Sequence, residues 1–238
     1  MINKKKVLAY IPIRSGSKGI KDKNIIDVCG KPLVAYTIEA AKRSKYVDRI
    51  IVSTDSAKYA EIVEQYGAEA PFLRPDYLAT DTSIEIDVCQ HMLSWVEENW
   101  GPFQLVLKLE ATSPLRIAED IDKAIEKLEQ ENADTIISVT ESVTHPYRMN
   151  ILPQNQSMKN FIRPEAFGKN RQELPIYYQL DGVVFTAKWD FLRKNKSWFS
   201  DNSFAVITPS ERALDLDEPT QLDLLRILIK KRNEQTRP

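Results

Sequence analysis

The sequence predicts an α/β protein built on a mainly parallel, right-handed doubly wound sheet. Three observations predict it. Short apolar runs of strand length alternate with amphipathic helical stretches over the first 140 residues, the signature of successive βαβ units. The chain has 238 residues, 42% hydrophobic and 28% charged, which suits one large core. Loops rich in Gly, Ser, Thr, Asp and basic residues follow the strands directly, and ligands of such sheets sit beyond the carboxyl ends of strands.

The first strand begins at Val7 and is an apolar run with the character of a buried parallel strand. It ends in a loop that changes character at once, from Arg14 to Asn24. Gly16 and Gly19 allow positive φ and close approach to a ligand. Ser15 and Ser17 offer hydroxyls. Arg14, Lys18, Lys21 and Lys23 place four cations within ten residues. A loop of this kind can wrap a triphosphate with N–H groups and cationic side chains. A solvated basic turn fits the same residues equally well, and the loop matches neither GxxxxGK[ST] nor GxGxxG.

Residues 25–28 read as a short extended piece and residues 29–33 as a turn, with Pro32 placed for the first turn of a helix. Leu33, Val34, Tyr36, Ile38, Ala40 and Ala41 give that helix its apolar face. Residues 49–54 form the second strand, ending at Asp55. Ser56 to Tyr66 reads as a helix closed by Gly67. Residues 70–75 lead into a proline turn, and Asp81 or Thr82 is placed to cap a helix from Ile84 to Trp100. Residues 103–109 form a third strand, followed by Glu110-Ala111-Thr112-Ser113-Pro114-Leu115-Arg116, a second candidate ligand loop. A helix over 118–131 and a strand over 134–139 complete this part.

From residue 140 the periodicity weakens. Pro146, Pro153, Pro164 and Pro175 punctuate short stretches that carry Arg148, Lys159, Arg163, Lys169 and Arg171 with several aromatics. An irregular segment this long has a function of its own. Residues 140–181 read as an arm inserted into a single domain spanning 1–238, and the arm packs on a partner chain. Residues 181–186 return as a strand, 189–193 form a short helix, and 204–207 form the last strand. Leu214-Asp215-Leu216-Asp217-Glu218-Pro219 then precedes a C-terminal amphipathic helix over 220–233.

Composition narrows the function. The formal net charge is −1, so no bulk basic excess points to nucleic acid, and the cations of the first loop are a local concentration suited to a small anion. Cys29 and Cys89 are too few for a disulfide framework, and they form no zinc motif with His91 or His145. No signal peptide or membrane span is visible, so a cytoplasmic, reducing setting is expected.

The opening loop, the Thr112–Arg116 segment and the Asp215-Leu216-Asp217 segment occur in the order and rough spacing of the acylneuraminate cytidylyltransferase family, which the chain resembles over nearly its whole length. That resemblance implies a Rossmann-like nucleotidyltransferase fold with a dimerisation arm. It implies transfer of CMP from CTP to a nonulosonic acid of sialic, legionaminic or pseudaminic type, with Mg²⁺ as cofactor. By the same resemblance, Arg14, Ser15, Gly16, Ser17, Lys18, Gly19, Lys23 and Asn24 grip the nucleotide, with Arg74 and Ser83 near the cytidine. Thr112, Ser113 and Arg116 line the floor towards the sugar. Asp215 and Asp217 hold Mg²⁺, and Asp217 is the first candidate to receive the sugar hydroxyl's proton through the metal. Arg148 and Arg171 come from the partner's arm. Kdo-type transferases share the fold but match the opening loop less well.

Three positions depart from the sialic-acid members. Glu110 stands for their Gln before Thr-Ser-Pro-Leu-Arg. Gln179 and Asp181 stand for the Arg and Asn of their Arg-Pro-Asn-Gly. Two added carboxylates and one lost cation imply a more negative sugar pocket. Such a pocket accepts hydrogen bonds rather than donating them, which favours a diacylamino nonulosonate over N-acetylneuraminate.

Overall fold

In the computed structural model, residue 2 and residues 5–235 are described. The strands and helices, in chain order, are β1 (Val7–Pro12), β2 (Asp27–Val28), β3 (Lys31–Pro32), α1 (Leu33–Arg43), β4 (Arg49–Ser53), α2 (Ala57–Gln65), α3 (Glu85–Asn99), β5 (Leu105–Lys108), α4 (Ala118–Gln130), β6 (Thr135–Glu141), β7 (Tyr178–Lys188), α5 (Trp189–Asn195), β8 (Ser203–Ile207) and α6 (Pro219–Gln235). Six strands form the central sheet in the order β4-β1-β5-β7-β6-β8. β1 pairs in parallel with β4 and β5, and β6 with β8. β7 runs antiparallel to both its neighbours. The predicted mainly parallel sheet is present, with one reversed strand at its centre.

β1 shows why the sheet is covered on both faces. Val7, Ala9 and Ile11 point into one core with Val34 and Ile38 of α1, Val63 of α2 and Ile125 of α4. Leu8 and Tyr10 point into the other, with Met92 and Val96 of α3 and Leu192 of α5. Alternate residues of a strand face opposite sides, so a fully buried strand must be apolar throughout. A third cluster joins Leu222, Leu225 and Ile229 of α6 to Val28, Leu33 and Leu115. It anchors the C-terminal helix beside the opening loop.

Several local expectations are refined. Gly67, at φ 88, follows α2 as its αL residue, and Ser56 caps the start of that helix through the Tyr59 N–H. α3 has no side-chain cap: Ile84 occupies the N-cap position. Asp81 and Thr82 are engaged elsewhere, Asp81 by two cations and Thr82 by the Thr80 hydroxyl. Neither Gly16 nor Gly19 lies at positive φ; the left-handed residue of the opening loop is Asp22 (φ 53). Gly19 is required for a different reason, since a Cβ there would stand 2.8 Å from the Asp217 carbonyl oxygen.

The irregular segment is shorter than 140–181. β6 extends to Glu141 and β7 begins at Tyr178, so Gln179 and Asp181 lie on a sheet strand. Between them, residues 142–177 carry short 3₁₀ turns and leave Ile151, Met158 and Phe167 largely exposed.

Candidate active site

β1 delivers Arg14 to the carboxyl end of the sheet, where Asn24 is buried and donates from its amide to the Arg14 carbonyl, closing the loop on itself. The Ser15 N–H and hydroxyl both donate to Asp55, which follows β4, at 2.9 and 2.6 Å. Ser15 therefore fastens the loop to the sheet, and its hydroxyl is already committed. Gly16 does not reach the cavity. Ser17, Lys18, Gly19 and Lys23 do, together with Arg14, Asn24, Arg74, Ser83 and Thr112, around a cavity of about 370 Å³.

Three of the four cations lining this cavity have an internal counter-ion. Arg14 and Lys18 both contact Asp81, at 2.6 and 2.5 Å. The hydrogen bonds from Lys18 and then Arg14 hold the Asp81 carboxyl below the usual range. Lys23 pairs with Asp217 at 2.8 Å. Arg74 is buried and donates to Ser53 and to the Ile13 carbonyl, joining β1 to β4 under the cavity; burial lowers its pKa. Ser83 ties the turn through the Thr80 N–H and the Tyr77 carbonyl. A larger, shallow groove of about 990 Å³ shares Leu78, Thr80 and Ser83 with this cavity and lies between α3 and α5. Its Arg193 is taken up by Gln90, Ser94 and Glu97, and Lys194 and Lys196 also line it.

The third segment closes the lip. The Leu216 N–H donates to the Thr112 carbonyl at 2.8 Å, which sets Asp215 beside Thr112 and Asp217 beside Lys23. Burial pushes the Asp215 carboxyl up, against the lowering effect of the Thr112 hydroxyl. Its Oδ1 is buried without a hydrogen-bond partner. Buried carboxylate oxygens are rarely left so, and a hard cation is one group that satisfies such an atom. Among the described residues no cage of three or more acidic, His or Cys side chains is gathered. Two carboxylates suit an ion that completes its shell with water and substrate oxygens.

Six expected sugar-side residues stand elsewhere. Arg116 is 2% exposed and lies beneath the site, not on its floor. It donates to the carbonyls of Val183, Glu110 and Gly182 and to the Thr37 hydroxyl. Ser113 is buried and donates to the Asp181 carbonyl. Asp181 is 3% exposed and accepts from Ser138 Oγ and the Val183 N–H at the bulge between β6 and β7. Gln179 is exposed on β7. Within one chain Arg148 donates to the Lys169 carbonyl and Arg171 faces Glu141 at 3.8 Å, both on the arm and outside the cavity.

The expected excess of negative charge is also corrected. Asp181 points into the sheet. Glu110 is partnered by Lys108 Nζ at 3.0 Å, so one of the two added carboxylates carries its own cation. Lys108, Glu85 and Asp81 are the site residues missed in the sequence. A lone lysine in the apolar run Leu105-Val106-Leu107-Lys108-Leu109 was the available signal for the first of them.

The cytidylyltransferase family profile matches residues 8–234. The chain belongs to the cytidylyltransferase family. It is 34% identical to the post-translational flagellin modification protein B of Campylobacter coli, over 97% of this chain and 98% of that protein. It is 34% identical to the CMP-N,N'-diacetyllegionaminic acid synthase of Legionella pneumophila, over 96% and 98%. The N-acylneuraminate cytidylyltransferase of Escherichia coli is 36% identical over 97% of this chain, which spans about half (54%) of that longer protein. Among solved structures, a CMP:2-keto-3-deoxy-manno-octonic acid synthetase complexed with CTP superposes with a TM-score of 0.71 at 17% identity, over 95% of this chain and 99% of that one. That likeness establishes the Rossmann-like nucleotidyltransferase fold. As a member of this family the chain is a nucleotidyltransferase.

Proposed function

We propose that this cytidylyltransferase moves CMP from CTP to the anomeric hydroxyl of a nonulosonic acid, releasing pyrophosphate. The observation that carries this reading is the convergence of residues 14–24, Thr112 and residues 215–217 on one cation-lined cavity. The names of the relatives support the acceptor class, since they include N-acylneuraminate, diacetyllegionaminic acid and pseudaminic acid transferases.

In this reading Arg14, Lys18 and Lys23 exchange their internal carboxylate partners for the triphosphate. The sugar hydroxyl loses its proton to solvent and attacks the α-phosphorus, a new P–O bond forms, and the bond to the bridging oxygen breaks with its electrons leaving on pyrophosphate. Positioning and charge neutralisation dominate the catalysis of such transfers, and the three cations supply both on the leaving-group side. Asp215 and Asp217 would hold Mg²⁺. The ion, when bound, neutralises phosphate charge. The exposed apolar residues of the arm support a homodimer in which Arg148 and Arg171 approach the partner's site. No helix among the described residues is long and apolar enough to cross a membrane, and a cytoplasmic setting is part of the same reading.

The test is a panel of sugar acids incubated with CTP and Mg²⁺, read by pyrophosphate release and by mass spectrometry of the CMP-sugar. Product with at least one nine-carbon acid is expected. Product with the eight-carbon Kdo alone, or with none, overturns the reading.

A further inference from the structure

Lys108 ends β5 and is 6% exposed, a costly place for an ammonium group. Its Nζ lies 3.0 Å from Glu110 Oε1 and 3.8 Å from Glu85 Oε2, over the Phe185 ring at 4.0 Å from the centroid. Glu85 stands in the first turn of α3 and lines the nucleotide cavity, with Oε2 fixed by the Trp198 indole N–H at 2.9 Å. Glu110 is one-third exposed and stands two residues before Thr112 on the cavity wall. Its carboxylate packs over Gly182, which at φ +68 has no side chain to displace it; a Cβ there would come 2.7 Å from Glu110 Oε2. One buried cation thus spans a carboxylate of the nucleotide cavity and a carboxylate beyond it.

We propose that Lys108 is a positioning residue for acceptor specificity: it holds the Glu110 carboxylate in one orientation, so that the free oxygen accepts from a hydroxyl or amide N–H of the sugar acid. The inference rests on the nonulosonic acid reading above. A carboxylate paired on one oxygen still offers acceptor sites on the other. Without the cation, Glu85 and Glu110 are like charges that have lost their shared partner, and Glu110 loses the contact that orients it, which displaces the acceptor oxygen. Neither Lys108 nor Glu110 is paired with Arg14, Lys18 or Lys23, whose carboxylate partners are Asp81 and Asp217, so the larger effect falls on the acceptor side.

The experiment is a double-variant cycle with Lys108→Met and Glu110→Gln, measuring KM for the sugar acid, KM for CTP, kcat and Tm for each protein. Lys108→Met is expected to raise the sugar KM roughly tenfold, the scale of one misplaced hydrogen bond, with the CTP KM within about twofold. In the Glu110→Gln background the same change is expected to move the sugar KM less than about twofold. An equal rise in both backgrounds, or an equal rise in the CTP KM, overturns the role. If Lys108→Met does not fold, Glu110→Gln is compared with the uncharged pair Lys108→Leu/Glu110→Gln. Matching sugar KM values support the proposal and a further tenfold rise overturns it. The wild-type control separates the two levels: no turnover with any nine-carbon acid fails the activity itself, whereas turnover without the KM split fails the role of Lys108 alone.

Discussion

Replacing Arg116 by Met is expected to unfold the site from below instead of emptying it. The guanidinium makes four hydrogen bonds, to three backbone carbonyls and the Thr37 hydroxyl, and so fastens α1, the 110–116 loop and β7 together. A hydrogen bond to a charged group contributes about 1.5–3 kcal/mol. Two of the carbonyls have a second donor: Glu110 O also accepts from Ser113 N at 3.3 Å, and Gly182 O from Glu110 N at 3.4 Å. The low end therefore applies, about 6 kcal/mol for four bonds. Against this, burial has pulled the Arg116 pKa down to about 10, and removing the charge recovers roughly 3 kcal/mol. The net loss is about 3 kcal/mol, a large part of the stability of a typical domain. Urea unfolding followed by tryptophan fluorescence should show the midpoint falling by roughly 1 M. Arg116→Lys should fail to rescue it, because a point ammonium cannot reach all four acceptors. A variant with an unchanged midpoint and a selectively raised sugar KM would refute the argument and return Arg116 to the substrate.

Three further outcomes follow from the same geometry. Asp215→Asn should abolish pyrophosphate release while raising Tm at pH 7. A carboxyl whose folded pKa lies above its unfolded value stabilises only while protonated, and that stability is lost as pH rises through the two values, so the gain over wild type should vanish below about pH 4; a lowered Tm at pH 7 sinks this. Lys18→Ala, at a largely exposed side chain, should leave stability within about 0.5 kcal/mol and lower the rate roughly 10²–10³-fold; a change under about threefold reduces the loop to a basic turn. Sedimentation should find a dimer that Ile151→Asp, placed on the exposed apolar arm, drives to monomer with loss of activity; a fully active wild-type monomer removes the partner's Arg148 and Arg171 from the mechanism.

The parts of the fold that follow from local pattern were legible in the sequence. β1, β4 and β5 are apolar on both faces, and α1 and α4 show a clear stripe. The reversal of β7 was not, because strand direction is set by the long arm before it and leaves no trace in a six-residue segment such as 181–186. The cations of the opening loop fitted a ligand loop and a solvated turn equally, and its glycines were misread: Gly19 is small for the Asp217 backbone, a contact across 198 residues that no local rule shows. Arg116 and Ser113 carry the same difficulty. A polar residue in a rim loop reads as ligand-facing, and whether it turns outward or inward depends on which carbonyls the neighbouring strand leaves open. Here the β6–β7 bulge and the chain ahead of Phe185 present those carbonyls, and both side chains turn inward to meet them.

The charges of the site are organised by the same constraint. A cavity bearing Arg14, Lys18, Lys23 and Arg74 with no counter-ions would repel itself in the absence of nucleotide. Asp81 and Asp217, whose side chains are 41% and 66% exposed, relieve that repulsion and can release the cations at modest cost. Lys108 behaves in the opposite way: its side chain is 8% exposed, so loss of a carboxylate partner would leave a buried charge uncompensated, which costs several times more than breaking an exposed pair. In the reading proposed above, the phosphate end of the cavity is thus built from exchangeable ion pairs and the acceptor end from a fixed one. An end that opens for a nucleotide and closes on a triphosphate would need the first arrangement. An end that distinguishes one sugar acid from another by the position of a single acceptor oxygen would need the second.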